Sequence, residues 1–304
     1  MDHLASRQGP ALCVGRASRT APTSEGHAIT SWHRHWAARG ILAPMHLVAV
    51  VSSDLELAHA LRGFRDDAHR FLLHPVPASP AKSWFPGLKA LDFAGALVLG
   101  ADLQRDALLL ADRASLEASE VGAADALTVT QAGVVADYHL GRALIQALRS
   151  RLWDPRDAHA VVVGAGLEAH AAARALASDG VRHLTLLAGS RPDAERMVPR
   201  LAASTDVVAT VPDDPVASRL LESADLVVRT ERGLRLPTML VGPHLTVVDL
   251  DGSMSTLRRE AMAAGALTLD RFDVEAHRLH VALAQVLGAG VTVEPLLQAL
   301  LRDR

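Results

Sequence analysis

Gly164, Gly166 and Ala169 stand at the spacing Gly-x-Gly-x-x-Ala, and the chemistry such a run performs is the cradling of a diphosphate. The apolar run Val161-Val162-Val163 leads straight into Gly164-Ala165-Gly166-Leu167. An alanine-rich helical pattern follows to Ser178, and Asp179-Gly180 closes it. In a dinucleotide-binding unit the first glycine allows the tight turn and the second lets a pyrophosphate approach the backbone. A small third residue lets helix and strand pack closely, and the free N–H groups of the helix start face the anion. Glu168 suits the first turn of an unliganded helix, yet beside a diphosphate it would repel unless turned away. A plain strand–helix turn without ligand stays open as the alternative. His277-x-x-His280 puts two imidazoles one helical turn apart, but no acidic or sulfur partner stands at a matching spacing. Surface or interdomain packing is the expected role, and no metal site is expected.

The elements that must position this turn alternate along the chain. Strand-like runs are Leu47–Val51, Phe71–Val76, Gly95–Leu99, Ala126–Thr130, Val161–Val163, Leu184–Leu187, Val207–Thr210, Asp225–Arg229, Thr246–Leu250 and Leu267–Leu269. Helical patterns fall between most of them, at Leu55–Arg65, Leu103–Ala111, Gly141–Arg151, Leu167–Ser178, Asp193–Leu201, Pro215–Leu221, Leu257–Ala264 and Asp273–Leu287. Such alternation predicts parallel sheets covered by helices. The polar, proline-broken stretch Arg151–Asp157 reads as a hinge between two lobes. Residues 1–44 are rich in Ser, Thr, Arg, His and Gly without periodicity. They read as a disordered tail that includes His33, Arg34 and His35, and the ordered chain is expected to begin near Met45.

Composition narrows the function classes. At 304 residues and 49% hydrophobic content the chain can bury two cores, built from Leu, Val and Ala because only 3% is aromatic. A formal charge of −3 gives no reason to expect nucleic acid or an acidic membrane surface as partner. A single cysteine, Cys13, excludes an internal disulfide framework and suits a reducing cytoplasm. No apolar run approaches the roughly 20 residues that span a bilayer, so no membrane partner is expected.

Taken in order, several fragments resemble the shikimate dehydrogenase family, from about Leu47 to Leu301. They are Leu91–Asp102, Val121–Ala126, Tyr138–Leu148, Gly164–Ala171, Val248–Leu250 and Thr256–Ala266. The resemblance implies a two-lobed α/β protein, a Rossmann-type nucleotide-binding domain with a smaller α/β substrate-side domain. The expected organisation is 45–149 for the substrate-side lobe, 150–269 for the nucleotide lobe, and 270–304 for C-terminal helices that return to the first lobe. It further implies a small-molecule ligand in the interdomain cleft and a place in aromatic amino acid biosynthesis.

The departures carry as much as the matches. The family's catalytic lysine position is Asp102 here and its catalytic aspartate position is Leu140, so neither catalytic residue is retained. A carboxylate in place of an ammonium inverts the local charge, and a leucine cannot exchange a proton. Of the two substrate-binding serines, Ser53 matches the first and Leu55 replaces the second. The substrate-facing asparagine becomes Asp125 and the C-terminal glutamine becomes Arg278, while His59 matches a histidine read as helix packing. If the cleft is shared, Asp102, Asp125, Tyr138 and His139 offer groups for general acid–base work. The bland alternative makes Asp102 and Asp125 solvated loop residues.

For the cofactor, no acidic residue follows the strand Leu184–Leu187 until Asp193. By resemblance Ser190 and Arg191 would grip a 2′-phosphate, which favours NADP held by Gly164, Ala165, Gly166, Leu167, Ser190 and Arg191. Arg229-Thr230-Glu231 replaces the family's segment beside the nicotinamide. The expected function is an NADP-linked oxidoreductase scaffold unable to reduce dehydroshikimate by the family mechanism. Two alternatives remain: a non-catalytic ligand-binding or regulatory module on the same fold, or an oxidoreductase acting on a different small polar substrate.

Overall fold

The computed structural model describes residues 45–78, 80–198, 205–237, 241–252 and 254–302. The expected tail, with Cys13, His33, Arg34 and His35, lies outside the described residues.

The first sheet comprises β1 (His46–Ser52), β2 (Arg65–Asp66), β3 (Phe71–Val76), β4 (Phe93–Leu99), β5 (Arg113–Ala114), β6 (Ala126–Thr130) and β7 (Gly133–Asp137). Its order is β2-β3-β1-β4-β6-β7-β5. β1 pairs in parallel with both β3 and β4; β1 and β4 are apolar and buried over most of their length because both faces are covered, whereas β3 leaves His74 exposed. Contrary to the all-parallel expectation, the sheet is mixed: β4 with β6 and β6 with β7 run antiparallel. The cause is local. Only Gln131 and Ala132 separate β6 from β7, a connection too short for a parallel crossover. Helices α1 (Leu55–Ala60), α2 (Ala81–Ala90), α3 (Ala101–Leu110) and α4 (Leu116–Val121) complete this lobe. α1 ends earlier than its pattern predicts, and Arg65 is drawn into pairing with β3. α2 escaped the sequence pattern because Pro86 sits inside it.

The second sheet comprises β8 (His159–Val163), β9 (His183–Leu187), β10 (Asp206–Thr210), β11 (Leu226–Arg229), β12 (Thr246–Asp249) and β13 (Leu267–Asp270). Every pairing is parallel and the order is β10-β9-β8-β11-β12-β13. Renumbered within the lobe this is 3-2-1-4-5-6, the doubly wound dinucleotide-binding arrangement. α5 (Leu140–Ser150) precedes this sheet, and α6 (Leu167–Ser178), α7 (Arg191–Met197), α8 (Pro215–Glu222) and α9 (Thr256–Ala263) lie between its strands. α6 starts and stops where the alanine-rich pattern predicts, and Ala169, Ala171, Ala172, Ala173 and Leu176 bury in one core with Val162 of β8.

α10 (Arg271–Leu287) begins at the end of β13 with a capping box formed by Asp270 and Asp273. It then packs Phe272, Ala276, Leu279 and Leu283 against Val48, Val50 and Leu97 of the first sheet. α11 (Val293–Leu301) adds Leu296 and Leu300 to the same core. α10 therefore begins at one sheet and is anchored on the other. Among the described residues no helix is long and apolar enough to cross a membrane.

Candidate functional site

A cavity of about 550 Å³ opens between the two sheets. In open α/β sheets ligands bind outside the carboxyl ends of the strands, at the point where the strand order reverses. The cavity lies there, beyond the ends of β1, β4, β8, β9 and β11. From the first lobe it is lined by Asp54, Leu57, Gly100, Ala101 and Gln104. The second lobe supplies Ala165, Gly166, Leu167, Glu168, Gly189, Asp193, Thr230 and Glu231. Leu140 comes from α5, and Arg271, Val274, Glu275 and Arg278 come from α10.

The glycine turn is shaped for close approach. Gly164 has φ +127°, and a Cβ built there would lie 2.4 Å from Thr230 Oγ1, so no other residue fits without displacing Thr230. Thr230 Oγ1 donates to the Val163 carbonyl at 3.0 Å and pins the turn to the end of β8. Gly166 is the N-cap of α6 and supplies no side-chain cap. A Cβ at Gly166 would meet nothing within 4 Å, so the space beside the first-turn amides is open to the cavity. Those amides have no intrahelical acceptor and favour an anion. A dinucleotide's diphosphate fits this cradle. Glu168 shares it, and burial pushes its carboxyl above the ordinary value, against the opposing pull of Arg278 and Arg271. The charged form of Glu168 is thereby made more costly beside the turn.

Two ion pairs close the opposite wall. Arg271 Nη2 donates to Asp54 Oδ2 at 2.8 Å, and Arg278 Nη2 donates to Glu275 Oε1 at 2.8 Å. Glu275 and Arg278 are both buried. Burial works against the charge of Arg278, but Glu275 and Asp125 outweigh it and hold the guanidinium firmly charged. Asp54 also caps α1 through the Leu57 amide. Burial raises its carboxyl, yet the Leu57 amide and Arg271 prevail and keep it below the ordinary value.

The residues expected at the site are placed unevenly. Asp102 is not in the cavity: its side chain is 98% exposed and pairs with Arg105 at 3.0 Å. One position earlier on α3, Ala101 faces the cavity instead, as does Gln104. Asp125 and His139 do come together, but inside the first lobe rather than in the cavity lining, with Oδ1 and Nδ1 2.8 Å apart. The Tyr138 hydroxyl is buried without a partner, and burial drives the phenol far above its ordinary value, so it stays neutral. Ser53 is exposed, hydrogen-bonds the Leu99 carbonyl at 3.5 Å and packs against Gly100, outside the lining. Leu55 is 81% exposed. Leu140 and Arg278 do line the cavity. Ser190 caps α7 and donates to Asp193 Oδ2 at 2.5 Å, while Arg191 pairs with Asp214 at 2.7 Å. Neither lines the cavity, whereas their neighbours Gly189 and Asp193 do. Thr230 and Glu231 line it, and Arg229 turns away to Asp249 and Asp251. His280 is engaged with the Val291 carbonyl. The chain's two lysines, Lys82 and Lys89, both lie on α2 and away from the cavity.

Asp54, Gln104, Arg271 and Glu275 are cavity residues that pattern reading missed. Glu275-x-x-Arg278 carried a usable signal, an acid and a base three apart among the apolar residues Val274, Ala276 and Leu279.

A 3-2-1-4-5-6 parallel sheet, a glycine turn opening on a cleft, and a second α/β lobe across it define a two-lobed α/β scaffold of the doubly wound dinucleotide-binding kind. The comparisons agree. The chain is similar to the shikimate dehydrogenase (NADP(+)) of Cereibacter sphaeroides, with 32% identity over 183 residues, covering 56% of this chain and 64% of that protein. The match thus spans less than two thirds of the relative's length. Among solved structures, the quinate dehydrogenase of Corynebacterium glutamicum in complex with NAD has a TM-score of 0.73 at 19% identity. It covers 85% of this chain and 99% of that one. The 5-ketofructose reductase of a Gluconobacter strain has a TM-score of 0.71 at 17% identity, covering 86% and 99%. No protein-family model matches the chain. The resemblance to shikimate dehydrogenases read from the sequence therefore holds, in sequence and in fold.

Proposed function

We propose that this chain is an NADP-linked oxidoreductase of the shikimate dehydrogenase type, confined to the cytoplasm, that does not reduce dehydroshikimate by a lysine–aspartate pair. The observation that carries the reading is the turn itself: Gly164 fits only as glycine, and Gly166 leaves open space beside uncapped helix amides. Gly164, Ala165, Gly166 and Leu167 would hold the diphosphate, and Ser190 and Arg191 the 2′-phosphate, with Arg191 exchanging its surface pair with Asp214. The bound dinucleotide supplies hydride chemistry.

Against the family route, the two family positions are a solvent-facing Asp102 and an apolar Leu140, and no lysine lines the cavity among the described residues. A developing alkoxide there would find no ammonium beside it. The alternative of a cofactor-free module draws on one observation, Glu168 in the phosphate turn. Fluorescence titration with NADPH and NADH separates the two. The unaltered protein should bind NADPH, and more tightly than NADH. Gly166→Val should keep the fold, because the position has ordinary extended backbone and free space, yet should abolish binding. Absence of binding to either nucleotide at millimolar concentration would favour the module.

A further inference from the structure

We infer that the ligand of this cleft is an uncharged polyol rather than a carboxylate, a conclusion that deepens the dinucleotide-linked reading and rests on it. A guanidinium captures a carboxylate through a free fork of N–H donors. Both guanidiniums that line the cavity already carry a carboxylate, Asp54 on Arg271 and Glu275 on Arg278, each at 2.8 Å. The Nε of Arg278 has no partner, but it is sealed within the protein and out of a ligand's reach. Asp54 and Glu275 thus neutralise the two cations of this wall, while Glu168, Asp193 and Glu231 line the cavity on the second lobe beside the phosphate turn.

The remaining polar wall is rich in acceptors. Gln104 commits its amide nitrogen to the Val98 carbonyl at 2.9 Å, leaving its oxygen for another donor. Carboxylate and amide oxygens of this kind are complementary to hydroxyl groups, each of which brings a donor proton. On this wall an entering carboxylate would meet Asp54 and Glu275 and no unshared cation, which weakens association. A ring bearing several hydroxyls and no charge satisfies the same wall without that conflict.

The test uses the full chain, with and without NADPH, titrated calorimetrically with shikimate and with its methyl ester. The ester keeps the ring hydroxyls and loses the charge. It should bind at least about tenfold more tightly than the acid, a difference readily resolved by calorimetry. Tighter binding of the acid, or no binding of the ester at millimolar concentration, would overturn the inference. Asp54→Asn keeps a side-chain acceptor for the α1 cap and frees Arg271. It should move the preference about tenfold toward the acid, and an unchanged ratio would contradict the role given to the paired charges. NADPH titrated into the same protein tests the dinucleotide reading separately: its failure leaves the acid-to-ester ratio measured without nucleotide intact.

Discussion

His139 Nδ1 lies 2.8 Å from Asp125 Oδ1, and the His139 backbone N–H donates to Asp125 Oδ2 at 2.8 Å, with the two side chains only 3% and 1% exposed. Aspartate and imidazole thus form a closed, buried pair outside the cavity lining. Burial on its own would raise the Asp125 carboxyl, but the His139 ring and amide together with Arg278 more than offset it and hold the group below its ordinary value. Removing one member of such a pair strands a buried charge. His139→Ala should cost about 3–5 kcal/mol near neutral pH, read from denaturant unfolding. A loss within about 0.5 kcal/mol, the range of an ordinary surface substitution, would contradict the pairing.

The same carboxyl sets an acid limit. A depressed folded value contributes stability that is fully present above the unfolded value of about 3.9 and is lost as pH falls through the folded one. Asp125→Asn should therefore flatten the decline of stability below about pH 4. An unchanged acid limb would place the protonation elsewhere.

Glu168 has the opposite sign. Its folded value is raised by burial, with Arg278 and Arg271 opposing, and Glu275 and Asp251 adding to the rise. Its contribution is complete below the unfolded value of about 4.3 and is lost as pH rises through the folded value. Glu168→Gln should melt higher than the parent at pH 7–8, with the gap closing toward pH 4, and should bind NADPH more tightly at the higher pH. Equal melting curves across that range would show that the carboxyl is not held against its charge.

Leu152 ends α5 with φ +61°, and its amide and that of Trp153 bond back to the carbonyls of Arg149 and Leu148. This is the Schellman pattern, in which glycine is the usual occupant of the left-handed position. The Leu152 side chain is 96% exposed, so nothing packs against it. Leu152→Gly should stabilise the protein by about 1 kcal/mol in denaturant unfolding, because the Cβ clash disappears. Destabilisation would show that the leucine is held by contacts.

The turn and α6 were legible because their signals are local: a β-branched run, two glycines, then an alanine-rich helix ending at Asp179-Gly180. The cavity wall was less legible. Whether Asp102 or Ala101 faces inward depends on one step of helical rotation at the start of α3, a difference of about 100° that no sequence match at low identity fixes. The Asp125–His139 pair depends on β6 meeting β7 in a register that sets Ala126 opposite Asp137, and β7, only two residues beyond β6, does not stand out from the sequence as a separate strand. Asp54 with Arg271 joins residues 217 apart, which only the return of α10 to the first lobe brings together.

The central claim is that this scaffold keeps a dinucleotide cradle but not the family's acid–base pair. Its most direct test follows NADPH absorbance while purified full chain is incubated with NADP and shikimate, with NADPH binding by the same preparation measured alongside. We predict binding of the nucleotide and no oxidation of shikimate above background. Sustained turnover by the unaltered chain would contradict the account.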